Sequence, residues 1–450
     1  MIAVVGLLLA LAALIAMALR GVNIMIASLV SSLIVILTND LEIGTALTQD
    51  FALGQLGAFT FAGRFFLLFL TGAVFGALMD KGKAASATAQ ALVRFLGGHR
   101  SLWVITLSCA LLTYGGVVVF VVIFAIYPLA LELIQRAGIP KRLMVGAIAL
   151  GAGTFTMTAL PGSPSIHNVI AASALGTDLW AGSVLGLVGA ILMLSGGMFY
   201  LERERVRYQK ATADTIQYQE TEEALPHWLV SVLPMMAVLL TILAPKLVGP
   251  VAGGEPIGWP ERIAVFAVGQ PILWPSFALV LGSLLGILLL PKLRVGALQV
   301  VGKGADSAIM PLLNTAVVIG FGGVVTTTEG FKWFSSAMLD SSLPPLLSLA
   351  AAINIVAGIV GSASGGLQIF MQTMSQAYIE LGIPLEVLHR ISVMAAGGLD
   401  SLPHCGAVIA MLSITGMTHR QAYKDVAVVT ILVPILATLA TIALALAAYT

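Results

Sequence analysis

Residues 101–142 read SLWVITLSCALLTYGGVVVFVVIFAIYPLALELIQRAGIPKR. The apolar run 101–112 is about two thirds of the length a bilayer crossing needs, and it ends at Thr113, Tyr114, Gly115 and Gly116. A second apolar run, Val117 to Ile134, stops short of Arg136, with Arg100 on one flank and Lys141 and Arg142 on the other. Basic residues at both ends place both ends on one side of a membrane. The segment therefore reads as a hairpin that enters and returns, with its tip at TYGG. Residues 346–361 and 367–379 repeat the pattern around Gly361-Ser362-Ala363-Ser364-Gly365-Gly366. Backbone at such tips leaves helical geometry, and hydrocarbon cannot satisfy it. Both tips are expected to face a cavity.

An interrupted apolar helix follows each hairpin. Leu143 to Thr158 stops at Ala159-Leu160-Pro161-Gly162-Ser163-Pro164-Ser165, and Ile391 to Gly398 stops at Leu399-Asp400-Ser401-Leu402-Pro403-His404-Cys405-Gly406. Pro161, Pro164 and Pro403 donate no backbone hydrogen bond and obstruct the preceding turn. Both helices are expected to unwind near mid-membrane.

Outside the hydrophilic stretch Glu202 to His227, the rest of the chain is largely apolar. Of its 450 residues, 59% are hydrophobic and 10% charged, a balance that soluble domains do not need. The reading is an all-α integral membrane protein whose spans fall at 2–19, 22–38, 62–79, 143–176, 181–200, 228–246, 271–290, 308–328, 391–416 and 425–448. The first span has no basic leader or cleavage site, so it reads as a retained helix. With the N-terminus outside, most of the 22 basic residues fall in inner loops, among them Lys81, Lys83, Arg203, Arg205, Arg207 and Lys292. The positive-inside bias makes that side cytoplasmic and leaves both termini outside, in an inner (plasma) membrane of bacterial type. A net charge of +1 and the lack of basic clusters with interleaved aromatics give no footprint for nucleic acid. Cys109 and Cys405, far apart in sequence, suggest neither a disulfide framework nor a metal site.

The two halves align. Tyr114-Gly115-Gly116 matches Ser364-Gly365-Gly366, Ala137-Gly138-Ile139-Pro140 matches Leu381-Gly382-Ile383-Pro384, and Leu160-Pro161 matches Leu402-Pro403. Each half holds five spans, an odd number, so the second copy must sit inverted relative to the first. The expected organisation is a first inverted repeat over 1–200, a cytoplasmic linker over 201–227 and a second repeat over 228–450, divided between scaffold and transport domains. That plan is common among secondary transporters.

The stretch TYGGVVVFVVIFAIYPLALELIQRAGIPKRL, followed by GAGTFTMTALPGSP at Gly151 to Pro164, resembles the gluconate:proton symporter (GntP) family of permeases. The likeness covers most of the chain and is best from Phe66 to Val184. It implies the architecture of the wider ion transporter superfamily: paired hairpins, broken helices, a homodimeric scaffold and elevator-like motion. It also implies uptake of a small hydroxy or sugar acid with a co-transported cation, H+ in the first instance. Sugar-acid members carry an acidic residue after the tyrosine of the first tip and a Ser-His-Val-Asn-Asp type of second break. Tyr114-Gly115-Gly116 and Asp400-Ser401-Leu402-Pro403-His404 depart from both. The departure argues against gluconate itself and leaves a smaller carboxylate open.

An anion at mid-membrane needs donors already in place. Helix N-termini supply them, and the candidates begin at Gly116, Gly366, Ser165 and Cys405. Glycines Gly115, Gly116, Gly162, Gly365 and Gly366 permit close backbone approach. Thr113, Tyr114, Ser163, Ser165, Asn168, Ser362, Ser364 and Ser401 can hydrogen-bond carboxylate or hydroxyl oxygens. Such Gly and Ser clusters also serve close helix packing. Ionisable groups inside a membrane are costly, and Asp400 and His404, four apart in the second break, are the expected coupling pair. Basic residues near the site are absent in this reading, so dipoles, hydroxyls or a bound cation must meet the substrate charge. Sodium is an alternative to the proton, because unwound carbonyls and hydroxyls suit it. No cofactor is expected. An intramembrane hydrolase built from Ser401, His404 and Asp400 would lack an independently placed orienter. A passive channel would need neither two hairpins nor a coupling acid.

Overall fold

Large side chains such as Leu8, Leu37, Phe59, Val184, Phe199 and Leu288 are more than half exposed on helix surfaces. In water that surface would be untenable, and against lipid it is ordinary. The computed structural model describes residues 2–84, 86–88, 91, 95, 100–115, 117, 119–211, 225–248, 258–270, 272–403 and 405–449. Among the described residues the regular structure is entirely helical.

In chain order the principal helices begin with α1 (Ile2–Leu19), α2 (Ile24–Thr38), α3 (Ala58–Lys81), α4 (Ser101–Tyr114), α5 (Val119–Arg136), α6 (Lys141–Gly153), α7 (Ile166–Leu175) and α8 (Ser183–Ala211). They continue with α9 (Trp228–Val248), α10 (Trp259–Gly269), α11 (Leu273–Leu289), α12 (Ala297–Thr326), α13 (Glu329–Leu339), α14 (Pro345–Val360) and α15 (Ala363–Thr373). The last are α16 (Leu385–Ala396), α17 (Gly406–Thr415), α18 (His419–Ala427) and α19 (Val433–Tyr449). Every expected span falls on one or more of these helices. By length and hydropathy, 4 uninterrupted helical stretches among the described residues can cross a bilayer alone, and up to 5 if the bent pair around the second break is one span. Other expected spans are shorter: α2 has 15 residues and α11 has 17.

The helices pack in two groups. In the first, α3 lies along α12 and α11, α9 along α11, and α12 along α2, which packs on α1. Small residues allow the α3–α12 approach: a Cβ on Gly304 would stand 2.8 Å from Val74 Cα. The second group joins α4 to α5 and α6, α14 to α15 and α16, α8 to α16 and α19, and α7 to α15 and α16. Helices from the two chain halves are therefore intermixed in each group. The groups meet where α15 packs on α12 and α5 on α3.

Candidate functional site

The first hairpin is α4 and α5, packed side by side, with α4 capped at Gly115. Gly116 lies outside the described residues. The second hairpin is α14 and α15, joined through Gly361, whose φ of +64° is the left-handed conformation that ends a helix. Its returning arm starts at Ala363, with the Ser362 side chain accepting from Gly365 N at 3.2 Å. Gly366 is therefore not the first residue of that arm, as the sequence suggested. It sits inside the first turn, where a Cβ would come 2.4 Å from Ala357 Cα, so it allows the two arms to touch.

The first break begins earlier than expected. Helix α6 ends at Gly153, a single turn Phe155–Thr158 follows, and irregular backbone runs to Ser165, the N-cap of α7. Threonines take up the freed carbonyls: Thr154 Oγ1 donates to Leu150 O at 2.6 Å, and Thr156 Oγ1 to Gly151 O at 2.9 Å. This is the local repair that lets a helix unwind in hydrocarbon. Gly162 holds φ +75°, with the Trp180 ring packed where a side chain would be, and donates its N–H to Leu179 O at 2.8 Å. Asn168 Nδ2 donates to Ser163 O at 3.0 Å and to Leu179 O at 2.8 Å.

At the second break α16 ends at Ala396, and Leu399–Ser401 form one tight turn before Pro403. Asn354, on α14, accepts from Leu399 N at 3.0 Å. The first half has a counterpart, since Tyr114 at the first tip donates its hydroxyl to Pro161 O at 2.9 Å. Each hairpin is thus tied to the break in its own half. Tyr423 donates to Ser401 O at 3.1 Å, and His419 Nε2 lies 2.8 Å from Pro403 O, so α18 braces the second break as well. The Ser401 hydroxyl donates to the Asp400 carboxylate at 3.2 Å. His404 lies outside the described residues.

Both tips and both breaks open on one cavity of about 440 Å³. Of the candidate residues, Thr113, Ser165, Ser362, Ser364, Asp400 and Ser401 line it. Tyr114, Gly115, Gly162, Ser163, Asn168, Gly365 and Gly366 do not. They are engaged in the hydrogen bonds and close packing that hold tips and breaks in place. The opposite wall comes from the first helix group, with Leu68 and Phe69 of α3, Leu279 of α11, and Asn314 and Thr315 of α12.

Among the described residues that line the cavity there is no lysine or arginine, but one basic side chain braces the first break. Arg390, on α16, is fully buried and grips the first break from behind. Its Nη1 donates to Ala159 O at 3.2 Å, its Nε to Ala181 O at 3.0 Å, and its Nη2 to Ala181 O at 2.8 Å and Leu179 O at 3.4 Å. His389, beside it, is also fully buried, with Nε2 2.8 Å from Asn168 Oδ1 and Nδ1 2.7 Å from Thr177 Oγ1. Neither was singled out from the sequence. The available signal is an adjacent His-Arg pair inside a mainly apolar helix, which calls for named partners.

No protein-family model matches the chain. It is 38% identical over 399 residues to the uncharacterized transporter YxjC of Bacillus subtilis (strain 168), covering 82% of this chain and 83% of that protein. An uncharacterized transporter of Haemophilus influenzae is 26% identical over 340 residues, covering 74% of this chain and 73% of that one. Among solved structures, the YdaH transporter of Alcanivorax borkumensis, described as having an unusual topology, superimposes with a TM-score of 0.53. It covers 86% of both chains at 16% identity, which is a likeness of fold. With its apolar helices and this relationship, the chain is a multi-pass membrane protein that belongs to the transporter family of Bacillus subtilis YxjC.

Proposed function

We propose that this chain is a secondary active transporter that carries a small organic acid anion, a hydroxy or sugar acid, together with a cation. The observation that supports this reading is a shared cavity on which two hairpin tips and two unwound breaks converge, with Asp400 the acidic side chain among the described residues that line it. Unwound helix ends offer N–H groups to a carboxylate, and an intramembrane acid can carry a proton. The resemblance to gluconate:proton symporters points the same way, with H+ as the coupling ion. Na+ is the alternative, because Thr113, Ser362 and Ser401 hydroxyls stand on the same wall as Asp400.

The cavity lies between the two helix groups, which supports an elevator movement. In it the group bearing hairpins and breaks shifts against the group of α1–α3 and α9–α12. In this reading the two chain halves are inverted repeats, and the spans 2–38 and 228–290 supply the stationary scaffold and the surface of a homodimer. Reconstitution into proteoliposomes tests the proposal. Uptake and counterflow of a labelled hydroxy acid should respond to an imposed proton or sodium gradient. Linear flux indifferent to both gradients would overturn it in favour of a channel.

A further inference from the structure

Most hydroxyls around the cavity already spend their proton on a nearby backbone carbonyl. Thr113 Oγ1 donates to Cys109 O at 2.8 Å, Ser165 Oγ to Met157 O at 2.7 Å, Thr315 Oγ1 to Pro311 O at 2.9 Å and Thr430 Oγ1 to Val426 O at 2.8 Å. Two cavity-lining groups differ. His167, in the first turn of α7, is 7% exposed, and its Nδ1 has no hydrogen-bond partner among the described residues. Asn314, one turn past Pro311 on α12, has a buried Oδ1 that likewise has none. An atom left so has lost its hydration without a bond to replace it, and neither meets that need by bonding back to its helix.

Their chemistry specifies a complement. An amide oxygen only accepts, so whatever satisfies Asn314 must bring a hydrogen. A carboxylate cannot, whereas a hydroxyl can. The hydroxyl in turn has lone pairs to accept from an imidazole N–H, and His167 can present one at Nδ1 by choice of tautomer. The two residues also belong to different helix groups, α7 on the hairpin-bearing side and α12 on the other. A ligand touching both spans the boundary across which the groups would move.

We infer that His167 and Asn314 form the contact for a substrate hydroxyl, which makes the carried anion a hydroxy acid and lets the site reject the acid that lacks the hydroxyl. This rests on the carboxylate reading above and adds the residues that select within that class. A neutral hydrogen bond of this kind corresponds to about tenfold in affinity.

Ligand-dependent thermal stabilisation of the purified full chain tests it with matched acids: lactate, propionate and alanine; 2-hydroxybutyrate and butyrate; gluconate and hexanoate. The wild-type chain should prefer the best-bound hydroxy acid over its deoxy partner by about tenfold. Asn314→Leu and His167→Phe should each bring that ratio near unity, with the deoxy acid's affinity changed by no more than about twofold. Asn314→Ser, smaller and still polar, provides a second variant should the leucine disturb folding, and should give an intermediate ratio. An unchanged ratio in folded variants overturns the inference while the carboxylate reading stands. Preference for alanine over lactate overturns it in favour of an amine donor. No stabilisation of the wild-type chain by any of these acids removes both readings together.

Discussion

His389 Nε2 lies 2.8 Å from Asn168 Oδ1, joining the helix that precedes the second break to the helix that follows the first. The amide orientation is fixed by the other side of Asn168, where Nδ2 donates to the carbonyls of Ser163 and Leu179. Its oxygen therefore faces the ring and accepts from it, and Nε2 carries the proton. On the far side of the ring, Thr177 Oγ1 is 2.7 Å from Nδ1. One imidazole thus couples the two chain halves through the irregular loop that shapes one end of the cavity. A double-mutant cycle on His389→Leu and Asn168→Leu, read by thermal unfolding in detergent, should give a coupling energy of about 1 to 2 kcal/mol. Additive losses would mean that the contact does not join the halves energetically.

Arg390 extends the same bracket. Its guanidinium serves Ala159, Leu179 and Ala181, of which Leu179 O also accepts from Gly162 N and Asn168 Nδ2. Arg390→Met therefore chiefly deprives Ala159 and Ala181, at roughly 1 to 3 kcal/mol for each buried acceptor. The unfolding midpoint should fall accordingly. Arg390→Lys should recover part of the loss, because one ammonium keeps the charge but not the planar fork. Full recovery by lysine would show that charge alone matters there.

The sequence showed where the chain departs from regular helix because glycine and proline act locally. TYGG, GSASGG and the two proline-bearing breaks needed no partners to be read, and the structure places helix ends within a few residues of them. Helix α15 starts at Ala363 behind Ser362 and not at Gly366, because a serine before an apolar run is a stronger N-cap signal than a glycine pair. Arg390, His389, Asn354 and Asn314 were passed over for a different reason. Their roles depend on which helix face meets which neighbour, and the carbonyls that Arg390 serves lie more than 200 positions away. No periodicity within LEVLHRISVM carries that information.

A second bracket joins the halves away from the cavity. Arg142, at the start of α6, reaches Asp425 Oδ2 at 2.6 Å and Glu204 Oε2 at 3.1 Å, and Tyr200 donates its hydroxyl to Asp425 Oδ1 at 2.6 Å. Asp425 is only 1% exposed, while Arg142 is 28% exposed. Removing the cation leaves a buried carboxylate uncompensated, and partial access of water to the arginine lowers the expected cost to about 2 kcal/mol. Arg142→Ala should lose that much stability, and Asp425→Asn added to it should restore a good part. If the second substitution worsens the first, the pair is not the source of the effect.

At the exposed turn before residue 43, Glu42 caps the backbone. Hydrogen bonds from the Thr45 side chain, then from the N–H groups of Thr45 and Gly44, hold its carboxyl below the ordinary glutamate range. A depressed folded value stabilises the charged form, so the cap is fully present above the ordinary glutamate value and is lost as pH falls through the lowered one. Amide exchange at Gly44 and Thr45, corrected for intrinsic rates, should accelerate across that acidic window in the wild-type chain. In Glu42→Gln it should lack that pH dependence.

Asp400 decides between binding and coupling. Its carboxylate lines the cavity from the turn Leu399–Ser401, held by the Ser401 hydroxyl, while Asn354 and Tyr423 anchor the backbone on either side. Asp400→Asn keeps size and hydrogen bonding but cannot take up or release a proton, nor offer full charge to Na+. In proteoliposomes it should abolish accumulation driven by a gradient and leave exchange of labelled for unlabelled acid measurable, since exchange needs no net movement of the coupling ion. Loss of both activities together would instead make Asp400 part of substrate binding. Undiminished accumulation would place coupling elsewhere in the cavity, with His167 the next titratable group on its wall.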